Sequence, residues 1–304
     1  MKKILVLGAG GFLGKSIIKK IHTKYNVVAF DMRHTDFFGQ LTNVNEVVGD
    51  FKNRDLLLEI LDNVDIVIHL ISTTIPSDST DSIDKEIFDN VIPTVTLLNC
   101  MAEKGVKEII FSSSGGTIYG DTGEKINKEN SIINPSCSYG IQKATIESYI
   151  KYFNYRYGIK YKIMRISNPY GVGQDANKMQ GLIPILMNKL INDEPVSIYG
   201  DGSNMRDYIY LDDLIDCFCS IIEYDGNDGT FNIGYGEYWS INEVMRLVEK
   251  EVGKKFTEVN YLPRRLCDVN KSFLDFSHSK KELNWEPKVS IKEGIKKLYS
   301  LITR

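Results

Sequence analysis

Tyr139 and Lys143 stand four positions apart in Tyr139-Gly140-Ile141-Gln142-Lys143. On a helix that spacing puts both side chains on one face, a single turn apart. An ammonium ion beside a phenol favours the phenolate and lowers its pKa from about 10 toward neutrality. Such a phenol can act as general base on an alcohol hydroxyl. Ser114 closes the run Glu108-Ile109-Ile110-Phe111-Ser112-Ser113-Ser114 and could share that hydroxyl through a hydrogen bond. The alternative is an ordinary pair on the surface of an amphipathic helix. The weight against it comes from how the chain opens.

Ile4-Leu5-Val6-Leu7 is a continuous apolar run, as expected of a strand buried on both faces. Gly8, Gly11 and Gly14 follow, three apart. Gly8 permits a tight turn, Gly11 lets a pyrophosphate approach the backbone, and Gly14 lets the next helix, expected over 12–24, pack on the sheet. Free N–H groups at that helix start bind phosphate. The spacing is G-x-x-G-x-x-G rather than G-x-G-x-x-G, and a ligand-free glycine turn is the bland alternative. Asn26-Val27-Val28-Ala29-Phe30 reads as a second strand, with Asp31 at its end. An acid there accepts hydrogen bonds from an adenosine ribose and repels a 2′-phosphate, so NAD is favoured over NADP. Arg33 is a mild counter-signal. Asp50 could meet the adenine edge or could cap a helix over 52–61.

The elements that position these groups alternate. Further strands are expected over 65–71, 108–111 and 161–166, and helices over 84–104 and 138–157. This rhythm predicts an α/β fold of Rossmann type: a doubly wound parallel sheet with a smaller C-terminal substrate-binding domain. Residues 1–167, with returns near 205–234, form the expected NAD-binding domain, and 168–304 mainly the substrate region. Past Ser167 the rhythm gives way to turn-rich segments such as Asn168-Pro169-Tyr170-Gly171 and Tyr199-Gly200-Asp201-Gly202.

Composition narrows the classes. The 304 residues carry a net charge of −3, which points away from nucleic acid and anionic membrane surfaces. No 18-residue apolar run is present, and the N-terminus enters a strand directly rather than a signal peptide. The five cysteines lack metal spacing and read as free thiols in a reducing cytoplasm. The four histidines do not pair at ligand spacing, so no metal is expected.

In this order the motifs resemble the extended short-chain dehydrogenase/reductases, in particular the UDP-glucose 4-epimerase-like branch. The resemblance runs through Asn90-Val91, Tyr119-Gly120, Arg165, Arg206-Asp207-Tyr208-Ile209-Tyr210-Leu211-Asp212-Asp213, Phe231-Asn232-Ile233-Gly234, Arg265-Leu266-Cys267-Asp268 and Leu283-Asn284-Trp285-Glu286-Pro287. It implies a 4-epimerase of a nucleoside-diphosphate sugar working through a 4-keto intermediate, with a reductase or oxidase of a 4-keto nucleotide sugar as the alternative. A non-catalytic dinucleotide-binding scaffold is a third reading, disfavoured by the intact Ser114, Tyr139 and Lys143. The resemblance makes these three the catalytic set, with Thr117 in reserve because the Gly115-Gly116 loop is one residue longer than usual. It places cofactor contacts at Gly8, Gly11, Phe12, Leu13, Asp31, Asp50, Phe51, Leu70 and Asn90, besides Tyr139 and Lys143. Substrate contacts fall on Asn168, Gln180, Leu182, Arg206, Arg265 and Asp268, where cationic forks suit a diphosphate. An ion pair of Arg206 with Asp207, Asp212 or Asp213 is the competing use of that side chain.

The sequence departs from the family pattern at Pro93, at Gly181 (often Asn), at Cys267 (often Gly) and in Ser72-Thr73-Thr74-Ile75-Pro76-Ser77. The resemblance also sets Ser272 beside the sugar 2-position, where a small residue admits a 2-acetamido group. It implies a homodimer through the helices over 84–104 and 138–157, whose Val91, Val95, Leu98, Ile146, Tyr149 and Phe153 are apolar on more than one face.

Overall fold

The computed structural model describes residues 1–75, 83–123, 126–174, 181–227, 229–265 and 268–303. In chain order the elements are β1 (Lys3–Leu7), α1 (Phe12–Ile21), β2 (Asn26–Asp31), β3 (Val44–Val48), α2 (Arg54–Ile60), β4 (Ile66–His69), α3 (Ile83–Glu86), α4 (Ile92–Lys104), β5 (Glu108–Ser114), α5 (Ser138–Tyr157) and β6 (Lys160–Ile166). They continue with β7 (Asn168–Tyr170), α6 (Leu182–Ile191), β8 (Val196–Tyr199), β9 (Met205–Tyr210), α7 (Leu211–Glu223), β10 (Gly229–Ile233), β11 (Tyr238–Ser240) and α8 (Ile241–Val252). The last are β12 (Val259–Leu262), β13 (Lys271–Ser272), α9 (Ser277–Leu283) and α10 (Ile291–Ile302). Among the described residues no helix is long and apolar enough to cross a membrane.

The chain forms two compact units. The first comprises Met1–Ser114, Cys137–Arg165 and Phe218–Phe231. Its seven-stranded parallel sheet runs β10-β6-β5-β4-β1-β2-β3. Strand order therefore reverses beside β1, whose neighbours are β2 and β4. In a sheet of this kind that reversal opens a crevice at the strands' carboxyl ends. Ile4, Leu5, Val6 and Leu7 are all fully buried, as a strand covered on both faces requires. One core of this unit packs Leu5, Leu7 and Val67 against Leu57, Leu97, Met101 and Ile150 of the covering helices.

The helix expected over 84–104 is present and carries a π turn. α3 ends at Glu86, a π turn spans Ile87–Val91, and α4 resumes at Ile92. The Ile92 N–H bonds the Ile87 carbonyl, five residues back. Pro93 supplies a reason: it has no N–H to give the carbonyl four residues earlier, and its ring crowds that carbonyl. Two other boundaries move. α1 stops at Ile21, and α2 starts at Arg54 with Asn53 as its cap, accepting from the Asp55 and Leu56 N–H groups. Asp50 is thus not the helix cap; its Oδ1 closes a turn on the Lys52 N–H at 2.9 Å.

The second unit comprises Gly115–Ser136, Ile166–Cys217 and Asn232–Arg304. β9 is its hub, pairing with β7, β11 and β13, while β8 pairs with β12. Its core gathers Ile183, Leu186, Leu190, Val244, Val248, Ile295 and Leu298 from α6, α8 and α10.

Candidate active site

The glycine turn is built as its spacing requires. Gly8 has φ +83°, a left-handed conformation, and its N–H bonds the Phe30 carbonyl at 3.0 Å. Gly11 caps α1 without a side-chain bond. A Cβ on Gly14 would lie 2.4 Å from the Gly8 carbonyl oxygen and 2.6 Å from that of Ala9. Only glycine lets α1 approach β1 that closely. Asp31 closes the cradle: its Oδ2 accepts from the Gly10 N–H at 2.9 Å. Phe12 and Leu13 occupy the first turn of α1, half-buried. Leu70 donates to the Leu7 carbonyl at 3.0 Å, and Phe51 is buried against the His69 ring. The cradle, the helix start and the Asp31 carboxylate fit a dinucleotide: backbone N–H groups for the pyrophosphate and an acid for the ribose.

Asn90 lies in the π turn and is buried. Its side chain grips the segment after β4: Oδ1 accepts from the Thr73 N–H at 2.9 Å, and Nδ2 donates to Thr73 Oγ1 at 2.8 Å. Gln142 holds the next residue, donating to Thr74 Oγ1 at 3.0 Å. Ser72 hydrogen-bonds the Tyr139 hydroxyl. The stretch that departs from the family pattern is therefore pinned by Tyr139, Asn90 and Gln142. Pro76 and Ser77 of that stretch lie outside the described residues.

Tyr139 and Lys143 share one face of α5, whose N-cap Cys137 accepts from the Gly140 N–H. Lys143 is almost fully buried; Nζ donates to the Ser112 carbonyl at 2.9 Å and lies 5.6 Å from the Tyr139 ring centroid. Burial pulls the Lys143 amine down to about 8, with Glu147 raising it in part. Burial pushes the Tyr139 phenol above its ordinary value; Cys137 and Glu86 add to that, and the Ser72 hydrogen bond opposes it. Tyr139 as a whole is half-buried, and burial is the leading cause of the shift in its phenol. The Lys143 ammonium lies over the Tyr139 ring.

Behind the pair lies a network that pattern reading missed. Ser113 donates to Glu147 Oε1 at 2.6 Å, and Arg165 forks onto the same carboxylate with Nε at 3.0 Å and an Nη at 2.7 Å. Glu147 and Arg165 are each 1 % exposed, so losing one partner would cost about 3–5 kcal/mol. Glu147 stands four residues beyond Lys143, which was the only sequence signal for it. His69 is also internal; burial first, then the Lys143 charge, pulls its pKa down to about 3. Thr94 Oγ1 donates to the Asn90 carbonyl, so at 2.9 Å the His69 Nε2 is the donor to Thr94 and the ring is neutral. Ser114, at the tip of β5, is half-buried.

The expected substrate residues that can be described lie in the second unit. Asn168 Nδ2 donates to the Asp207 carbonyl at 2.9 Å. The Asp207 carboxyl accepts from the Tyr235 and Gly236 N–H groups, and burial raises it to about 7. Asp213 accepts from the Lys288 and Val289 N–H groups. Neither acid is the partner of Arg206, which donates to the Met205 carbonyl at 2.9 Å and feels the charges of Asp268, Asp121 and Arg264. Arg265 lies over the Tyr199 ring at 3.5 Å, and its carbonyl accepts from the Asp268 N–H. Leu182 begins α6 and packs on the unit's core. Gly181 before it has φ +102°, and a Cβ there would meet the Gln174 side chain at 2.5 Å, which accounts for glycine where Asn is common. Thr117 is buried, its carbonyl accepting from the Gly120 N–H. Gln180, Leu266 and Cys267 lie outside the described residues. Ser272 is a buried strand residue whose hydroxyl donates to the Gly115 carbonyl at 3.1 Å. Tyrosine there would overfill a packed site, so that substitution cannot isolate sugar specificity.

The profile of the NAD dependent epimerase/dehydratase family matches residues 4–234. A dTDP-4-dehydro-6-deoxyglucose reductase of Escherichia coli is 34% identical, over 98% of this chain and 97% of its own. A UDP-glucose 4-epimerase of Thermotoga maritima, solved with UDP-glucose, superposes with a TM-score of 0.91 at 33% identity, covering 99% of both chains. A UDP-glucose 4-epimerase of Thermus thermophilus, solved with NAD, has a TM-score of 0.90 at 26% identity over 98% of both.

Proposed function

This chain belongs to the NAD dependent epimerase/dehydratase family, and within it we propose an NAD-dependent 4-epimerase of a nucleoside-diphosphate sugar, a UDP-hexose or UDP-N-acetylhexosamine. The observation that carries this reading is one unit holding both a dinucleotide cradle closed by Asp31 and the Ser114, Tyr139 and Lys143 set. When bound, NAD supplies the acceptor and donor of hydride at the sugar's carbon 4. Tyr139 takes the proton of the 4-hydroxyl and later returns one to the 4-keto oxygen. Ser114 orients that oxygen by hydrogen bonding. Lys143 holds the cofactor ribose and offsets charge on the phenolate. Gly8, Gly11, Phe12 and Leu13 hold the pyrophosphate, Asp31 the ribose, and Asp50, Phe51, Leu70 and Asn90 the rest of the dinucleotide. In the second unit Asn168, Gln180, Leu182, Arg206, Arg265 and Asp268 are assigned to the nucleotide sugar, with the arginines neutralising its diphosphate.

A second reading is net reduction or oxidation at carbon 4. Two points favour it: burial raises the Tyr139 phenol, which suits giving a proton to a ketone, and the Escherichia coli relative is named a reductase. Incubation with UDP-, dTDP- and GDP-sugars, products resolved by NMR, separates the readings. Epimers formed with only catalytic NAD support the first; strict consumption of added NADH or NADPH with a 4-keto sugar supports the second. Tyr139→Phe should lower turnover about 10²- to 10⁴-fold while NAD still binds; turnover near wild type would reject the assignment.

A homodimer forms part of the proposal, and of the residues the periodicity singled out Tyr149 stays exposed for it. Val91, Leu98, Ile146 and Phe153 are buried in the first unit's own core. The exposed apolar face is Ile83, Ile87, Phe88 and Ile92 on one helix run and Ile141, Tyr149 and Tyr152 on α5. We place the enzyme in the cytoplasm, where the thiols Cys100, Cys137, Cys217 and Cys219 stay reduced.

A further inference from the structure

Glu86, the last residue of α3, is a carboxylate at 2 % exposure. Its Oε2 accepts from Ser138 Oγ, and its Oε1 has no hydrogen-bond partner. Its backbone carbonyl accepts from Asn90 Nδ2 at 3.3 Å. Among the described residues no lysine, arginine or histidine pairs with it. A buried carboxylate held by one hydroxyl is costly, and packing alone does not repay that. What it gains is its place. Ser138 is the first residue of α5 and Tyr139 the second, so the carboxylate sits at the start of the helix that carries the acid–base group. The helix dipole favours a negative charge at that end and recovers part of the cost.

We propose that Glu86 is a positioning residue for Tyr139: through Ser138 it fixes the first turn of α5 and places a carboxylate at the helix end that carries the phenol. Four groups among the described residues bear on the phenol. Ser72 comes from the segment after β4, Cys137 from the cap of α5, Lys143 from one turn further along α5, and Glu86 from α3. Lys143 is the cation of this set and Glu86 the carboxylate. They act in opposite directions: the ammonium favours phenolate and the carboxylate favours phenol. Burial raises the phenol first, with Cys137 and then Glu86 adding to it. Removing the Glu86 charge therefore lowers the pH at which Tyr139 changes from proton donor to proton acceptor, with burial still the larger influence. The proposal rests on Tyr139 being the acid–base group of the proposed function.

The test keeps the two separate. Full-length protein saturated with NAD, carrying ¹³Cζ-labelled tyrosine, is titrated by NMR, with the Tyr139 signal assigned by its loss in Tyr139→Phe. Glu86→Gln keeps the volume and an acceptor for Ser138 but removes the charge. The Tyr139 midpoint should fall by on the order of one pH unit. Where Tyr139 is the base, the acid limb of the pH–rate profile should move down equally, about tenfold faster at fixed pH on that limb. Glu86→Asp should restore the wild-type midpoint. Ser138→Ala keeps the charge and cuts the tie, so its midpoint should stay near wild type while kcat falls. A Glu86→Gln midpoint that coincides with wild type overturns the proposal. So does a Tyr139 signal that stays un-ionised alike in both proteins up to the alkaline limit of folding. A midpoint that moves in a protein that turns over no nucleotide sugar supports the role of Glu86 and rejects the proposed function.

Discussion

Lys143 is where activity and stability pull in opposite directions, and Lys143→Met exposes the conflict. The amine is 3 % exposed, and burial depresses it from 10.5 to about 8. Between those values the unfolded chain binds more protons than the folded one, so the wild-type protein gains stability as pH rises through that window. Below about 8 the buried ammonium costs the native state about 3 kcal/mol; near pH 10 the cost has shrunk to about 1 kcal/mol, and above 10.5 it disappears. Methionine removes the charge at similar length. It also leaves the Ser112 carbonyl, now bonded at 2.9 Å, without its donor, a loss of about 1–3 kcal/mol. The variant should therefore equal or exceed wild-type stability at pH 7 by about 0–2 kcal/mol and fall below it at pH 10. The difference between the two proteins should swing by about 2 kcal/mol across that range. Urea unfolding of both at pH 7 and pH 10, with equal m-values, measures the swing. Turnover should meanwhile fall about 10²-fold or more, because the phenol loses its cation. A stability difference that is the same at both pH values would refute the claim that Lys143 carries a burial cost.

Three further outcomes follow from other parts of the structure. Asp31→Ala removes the acceptor at the end of β2, which also holds the Gly10 N–H, so NAD should bind more weakly and the margin over NADP should narrow in calorimetric titration; tighter NADP than NAD binding in the wild type would contradict the role. Gly14→Ala places a Cβ 2.4 Å from the Gly8 carbonyl oxygen, so it should cost about 1–3 kcal/mol in thermal or urea unfolding and lower NAD affinity with it; an unchanged Tm would show that α1 can move away freely. Light scattering should return twice the mass of the 34.6 kDa chain, and Phe88→Lys should shift it toward one; a wild-type mass that stays at one chain across concentrations would exclude the dimer.

Much of the first unit was legible in the sequence because the signals were local. A four-residue apolar run, glycines three apart and an acid after the next run are read within about thirty residues, and β1, α1 and Asp31 stand where those patterns put them. Tyr139 and Lys143 were equally legible, since helical period alone sets their shared face. The parallel, doubly wound character of the sheet followed from the βαβ rhythm, while its strand order came from the structure. What escaped was whatever depends on partners far along the chain. Glu147 finds Arg165 and Ser113, Glu86 finds Ser138 fifty-two positions away, and Ser272 finds Gly115, in each case because packing brings together polar groups that burial then forces to pair. The protonation of Tyr139 belongs to the same class. Spacing predicted a phenol shifted down by its lysine, but desolvation, which no spacing records, raises it. Residue types and their periods thus determined the fold and named the candidate chemistry, while the upward shift of the Tyr139 phenol and the polar pairs around it were decided by tertiary burial.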